Sequence, residues 1–131
     1  MADTEKPEFD AQYGALIKEV FRDHVAHERA AGADLAERAR HYVARGKPDF
    51  VLAYLVETEI ADSEKRELLA QAFERRAEMA EGKAAAMDAE FARPFPLIGL
   101  EARKDRTMAR QVREGRMIRP YARAPRPLGM Q

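Results

Sequence analysis

Cysteine, tryptophan and asparagine are absent from this chain of 131 residues, and Ser63 is its single serine. Without thiols there are no disulfide staples, no thiolate zinc sites and no cysteine nucleophile. The seven glycines stand singly, in neither the G-x-G-x-x-G nor the G-K-[ST] pattern that cradles phosphates. No Glu-x-x-His pair occurs, so the carboxylate-bridged di-iron pattern of helical bundles is missing. Long apolar runs are missing too. The longest, Phe50 to Val56, has seven residues, whereas a spanning helix needs about 20. The opening Met-Ala-Asp-Thr-Glu-Lys-Pro lacks the apolar segment of a secretory signal. From these absences we expect a soluble, cytoplasmic protein that needs no cofactor.

Net charge is also zero, yet that balance conceals a division. Residues 1–92 carry 13 Lys and Arg against 20 Asp and Glu, a net of −7, whereas residues 93–131 carry 10 against 3, a net of +7. Proline follows the same line, with Pro94, Pro96, Pro120, Pro125 and Pro127 in the basic part. The length suits one small core. We therefore read an acidic helical bundle over 1–92 and a basic, Arg/Pro-rich C-terminal arm over 93–131. A basic segment on an acidic body is drawn to phosphate or to an acidic protein face.

Abundant alanine and apolar residues at three- and four-residue spacing make the body all-α. A first helix is expected over 9–31, with Phe9, Tyr13, Leu16, Ile17, Val20, Phe21 and Val25 on one face and Gly32 closing it. A second, capped by Asp34, is expected from Leu35 to Arg45 with Leu35, Ala39, Tyr42 and Val43 inward. Gly46-Lys47-Pro48 leads to a third, Phe50 to Ile60, which is apolar almost all round and so belongs in the centre of the bundle. Asp62 or Ser63 caps a long fourth helix reaching Phe91. Its stripe is Leu69, Phe73, Ala80, Met87 and Phe91, flanked by Leu68, Ala72 and Met79, and interrupted by Arg76, Lys83 and Glu90. These antiparallel helices form a four-helix body, and the distal half of the fourth, Met79 to Phe91, is a candidate contact for a second chain, including a homodimer partner.

Pro94-Phe95-Pro96 is expected to stop that helix. From Glu101 to Arg116 the composition permits one more, with Arg103, Arg106, Arg110 and Arg113 within about 80° of one another. Its apolar residues are sparse, so it should form only on contact. Beyond it, Met117 to Pro127 reads as an extended polyproline-like segment. The candidate partner-binding residues are Arg103, Arg106, Arg110, Arg113, Arg116, Arg119, Tyr121, Arg123 and Arg126, because guanidinium forks suit carboxylate and phosphate.

His24, His27 and Glu28 fall on one arc of the first helix and are weak candidates for a metal site, because His and Glu four residues apart can share an ion. His41, the remaining histidine, should face solvent. Catalysis needs an activated nucleophile beside a base, and Ser63 is accounted for as a cap, so no enzyme is expected. The leading reading is a non-catalytic accessory or assembly subunit. It would dock onto a larger partner protein or complex, at an acidic surface, through its arginine-rich arm. The alternatives are a nucleic-acid-associated accessory protein using the same arginines, and a small metal-binding bundle.

Overall fold

The structure is a computed structural model and describes residues 8–91 and 96–116, without the side chains of 87–91 and 96–98. Among these residues the chain forms six α-helices and no strand. They are α1 (Phe9–Tyr13), α2 (Glu19–Ala30), α3 (Leu35–Ala44), α4 (Pro48–Leu55), α5 (Asp62–Phe91) and α6 (Pro96–Arg113), with a 3₁₀ turn at Gly14–Leu16. No described helix is long and apolar enough to cross a membrane.

The single helix expected over 9–31 is divided. Gly14 is a poor helix former; the chain tightens there into the 3₁₀ turn, and Ile17 and Lys18 are extended, with ψ of 122° and 147°. The break frees α1 to lie against the start of α5, where the Phe9 N–H donates to the Asp62 carboxylate at 3.1 Å. It also rotates the expected stripe out of register. Phe9, Tyr13, Ile17 and Val25 are buried, but Val20 is 66% exposed.

The middle of the chain follows its local signals more closely. Gly32 takes a φ of 80° after α2, and the Asp34 carboxylate accepts the Glu37 N–H at 3.2 Å, capping α3. α4 begins at Pro48, as a proline in a first turn allows. It ends at Leu55 rather than Ile60, because the Thr58 hydroxyl and N–H both donate to the Leu55 carbonyl, at 2.7 and 3.1 Å, and draw the chain out of the helix. Val51 to Leu55 are all buried, so α4 is the central helix that its all-round apolar surface implies.

α5 has 30 residues and is about 45 Å long. Leu69, Ala70, Ala72, Phe73 and Ala77 are buried, and the first four join Phe9, Tyr13, Val25, Leu35 and α4 in one core. Past Ala77 no described side chain of α5 is buried. Met79, expected to flank the buried stripe, is 46% exposed.

The last helix departs most from expectation. It begins at Pro96, not Glu101, and packs along α5 more extensively than any other pair of elements. Ala102, Asp105, Met108, Ala109 and Val112 are buried, and Met108, Ala109 and Val112 belong to the main core together with Leu69, Ala70, Ala72 and Phe73 of α5. Small residues do what the sparse large ones do not, since Ala102 and Ala109 allow close approach to a helix that itself buries Ala70, Ala72 and Ala77. Residues 96–113, expected to belong to the basic arm, form a sixth helix packed on α5, and the segment expected to be extended, Met117 to Pro127, lies outside the described residues. The end of α6 reaches back to α1, where Gln12 Nε2 donates to the Gly115 carbonyl at 2.7 Å and the Tyr13 hydroxyl to the Arg116 carbonyl at 2.6 Å.

Candidate functional site

The four arginines expected to form one stripe are divided by the α5–α6 interface into two ridges. On α6, Arg106 and Arg113 project from positions seven residues apart, as do Arg103 and Arg110; the two ridges lie about 60° apart around the helix. The inner ridge is held by α5. Arg113 donates to both oxygens of Glu67, each at 2.9 Å, and to both oxygens of Glu74, each at 2.7 Å. Arg106 pairs with Glu81. Glu67, Glu74 and Glu81 are themselves spaced by seven, so the register of carboxylates on α5 matches that of guanidinium groups on α6.

The charge chemistry follows from these contacts. The hydrogen bonds from Arg113 hold the carboxyls of Glu67 and Glu74 below their ordinary range of about 4.5. The same bonds hold Arg113 in its charged form beyond the ordinary arginine range, and Glu81 does so for Arg106. On the opposite flank Arg76 makes a two-pronged contact with the buried Asp105, at 2.9 and 2.8 Å. Arg76, which interrupts the apolar stripe of α5 in the sequence, is thus answered by a carboxylate from α6 and not by solvent alone.

The outer ridge is different. Arg103 and Arg110 are exposed, and among the described residues neither makes an ion pair or a side-chain hydrogen bond. Thr107 lies between them and turns its hydroxyl to the Arg103 carbonyl at 3.0 Å. Leu100, one turn before Arg103, is 43% exposed. Arg116 is exposed and pairs with Glu114 at 3.0 Å. Arg119, Tyr121, Arg123 and Arg126 lie outside the described residues.

The three metal candidates are separated. His27 is exposed, while His24 and Glu28 meet on α2 with Nε2 and Oε1 3.0 Å apart. Arg38 of α3 brings its Nε to 3.0 Å from the other Glu28 oxygen, occupying the position a cation would take. Among the described residues no three His, Asp or Glu side chains converge as a metal set. Tyr54 is fully buried below this cluster, and burial, reinforced by the Glu28 carboxylate, pushes its hydroxyl well above the ordinary phenol range. Tyr42 stacks on Phe50 and Tyr54, with ring centroids 4.6 and 5.6 Å away. The group ties α2, α3 and α4 together. His41 is half-buried, with its ring edge-on to Tyr42.

Sequence reasoning overlooked several charged residues that position these elements. Lys65 and Arg66 are buried, and they are held by α1. Lys65 meets Asp10 at 3.0 Å, and Arg66 donates to Gln12 at 2.9 Å and lies over the Tyr13 ring. A cleft of about 490 Å³ between α2 and α4 has an apolar lining of Ile17, Val25, Ala53 and Val56. Two of its charged lining residues, Arg29 and Glu57, pair with each other at 2.8 Å, and Arg22 donates to the Gly14 carbonyl.

Comparison with protein-family models, curated proteins and solved structures finds no match for this chain.

Proposed function

We propose that this protein is a non-catalytic accessory or assembly subunit that docks onto a larger partner protein through the exposed arginine face of α6. One observation supports this reading above the others: α6 commits Arg106 and Arg113 to its own chain and leaves Arg103 and Arg110 exposed, with no carboxylate partner among the described residues. An arginine pair held on a packed helix loses less conformational freedom on binding than one on a loose tail, because the backbone beneath it is already ordered. An acidic protein surface supplies the matching chemistry, and bidentate guanidinium–carboxylate contact supplies orientation. Arg116 and the arginines that follow it in the sequence continue the excess of positive charge. The soluble, cytoplasmic setting expected from the sequence is part of this proposal.

The test compares the full chain with an Arg103→Glu/Arg110→Glu variant, each recovered from the source cells and weighed intact by native mass spectrometry. The expected result is a defined protein partner on the native chain that is lost from the variant, with both melting at the same temperature. Recovery of both as the bare chain, or with the same partner, overturns the reading. Recovery with bound nucleic acid transfers the same arginines to the alternative role, where affinity falls steeply with salt.

A further inference from the structure

We infer that the partner presents a helix with carboxylates seven residues apart, and that this helix packs on the outer ridge of α6 as α5 packs on the inner one. The inference rests on the docking role proposed above and specifies its geometry. Inside the molecule, Arg106 and Arg113 meet Glu81 and Glu74, so guanidinium groups spaced by seven on one helix are matched by carboxylates spaced by seven on the other. Seven residues advance a helix by about 10.5 Å and return nearly to the same face. Arg103 and Arg110 repeat that spacing on the adjoining ridge, where no described residue supplies the matching acids. A second acidic helix laid beside α5 would meet them in the register that α5 already uses.

Three further features favour a helix over a strand or a phosphate backbone. The two positions lie about 10.5 Å apart along the helix axis, whereas carboxylates on one face of a strand recur every 6.6 Å or so. Leu100 stands 43% exposed one turn ahead of Arg103, giving the ridge an apolar anchor of the kind that carries binding energy at interfaces. Among the described residues no aromatic ring is exposed beside the two arginines to stack a base. The occupant is therefore an amphipathic helix with an apolar residue one turn from the first of two acids spaced by seven.

The experiment titrates the full native chain, labelled for observation of arginine Nε–H signals by NMR, with two synthetic helical peptides of identical composition at low salt. One carries Leu, Glu and Glu at the offsets of the ridge. In the other the two glutamates are placed five apart, on opposite faces. The first peptide is expected to shift the Arg103 and Arg110 signals saturably and to bind at least tenfold more tightly than the second. The Arg103→Glu/Arg110→Glu variant is expected to lose at least tenfold in affinity with an unchanged melting temperature. Equal binding of the two peptides, or no saturable binding of the first, overturns the helical geometry. If both peptides bind equally and both are lost from the variant, the arginines still dock acidic protein and only this inference falls. If the variant binds the first peptide as the native chain does, the docking role falls with it. Tighter binding of a single-stranded oligonucleotide than of the first peptide overturns both.

Discussion

The two halves of α5 belong to one helix, yet they are held in different ways. From Asp62 to Ala77 the helix is covered on one side by α1, α3 and α4 and on another by α6, and it buries Leu69, Ala70, Ala72, Phe73 and Ala77. From Glu78 to Ala86 no side chain is buried, and the contact with α6 is charged, with Arg106 on Glu81, while Glu78 pairs with Arg75 of its own helix. The first half therefore combines area removed from water with ion pairs at Lys65, Glu67, Glu74 and Arg76. The second relies on α6 and on ion pairs at the surface, which are weak singly and screened by salt. A helix that outruns its own core presents a surface whose chemistry is not dictated by packing, and that is where a docking face can be placed.

Substitution of one large residue in each half should widen that contrast most. Leu69 is 1% exposed, so Leu69→Ala removes buried methyl groups and leaves a cavity, with an expected loss of about 2–5 kcal/mol. Met79→Ala, at a residue 46% exposed, should cost less than about 1 kcal/mol. Urea denaturation of both variants checks the pair. Similar losses would mean that the core extends along α5 further than its burial indicates.

The body's hold on α5 should give next under Gly46→Ala. Gly46 adopts a φ of 63°, and a Cβ there would lie 2.9 Å from the Arg76 backbone nitrogen. The substitution combines a left-handed backbone with a collision against main chain that has no freedom to move aside. About 2 kcal/mol or more should be lost, read as a lowered melting temperature. A variant as stable as the native chain would show that α3 and α5 are free to separate at this contact.

How much of this was legible in the sequence depends on whether a residue acts locally. Gly32 and Pro48 act through their own backbone and Asp34 through a side chain that caps an N–H three residues on, and each ends or begins a helix where its chemistry directs. The all-α class followed from apolar spacing. The break at Gly14 was not legible, because a single glycine within an apolar stripe is tolerated in many helices, and here it is the docking of α1 on Lys65 and Arg66 that selects the broken form. The packing of α6 was not legible for a related reason. Its large apolar residues are few, and the interface is made by alanines and by Asp105, Arg106 and Arg113, whose partners lie 25 to 46 positions away. The glutamates spaced by seven on α5, at 67, 74 and 81, were the one signal that pairs with the arginine stripe. Read with that stripe, they point to an intramolecular ladder.

The ladder itself should respond to charge in a direction that burial does not. Arg113→Ala leaves Glu67 and Glu74 facing each other without a cation. Because these groups are one-third to one-half exposed, with side-chain values of 36%, 47% and 34%, solvent screening limits the loss to about 1 kcal/mol. The native chain should show the matching pH dependence. Glu67 and Glu74 have lowered pKa values when folded, so their contribution is fully present above the ordinary carboxylate value and is lost as the pH falls through the lowered one. Melting between pH 7 and pH 2 should show this acid-side loss, and Arg113→Ala should show less of it. Identical acid limbs for the two proteins would mean that Arg113 contributes nothing to the joint between α5 and α6.

The smallest effect is expected in the distal half, and it has the opposite sign. Gly82 lies within α5 with nothing inside 4 Å of the position a Cβ would take. Alanine there meets no neighbour and removes conformational freedom from the unfolded chain, so Gly82→Ala should add about 0.5–1 kcal/mol. The gain appears in global unfolding only if the distal half melts together with the core. If that half frays ahead of the core, the substitution leaves the global transition unmoved and instead slows amide hydrogen exchange over residues 79–86. Either result measures how firmly the exposed end of the hairpin is coupled to the body, and therefore how far the arginines of α6 are positioned before any partner arrives.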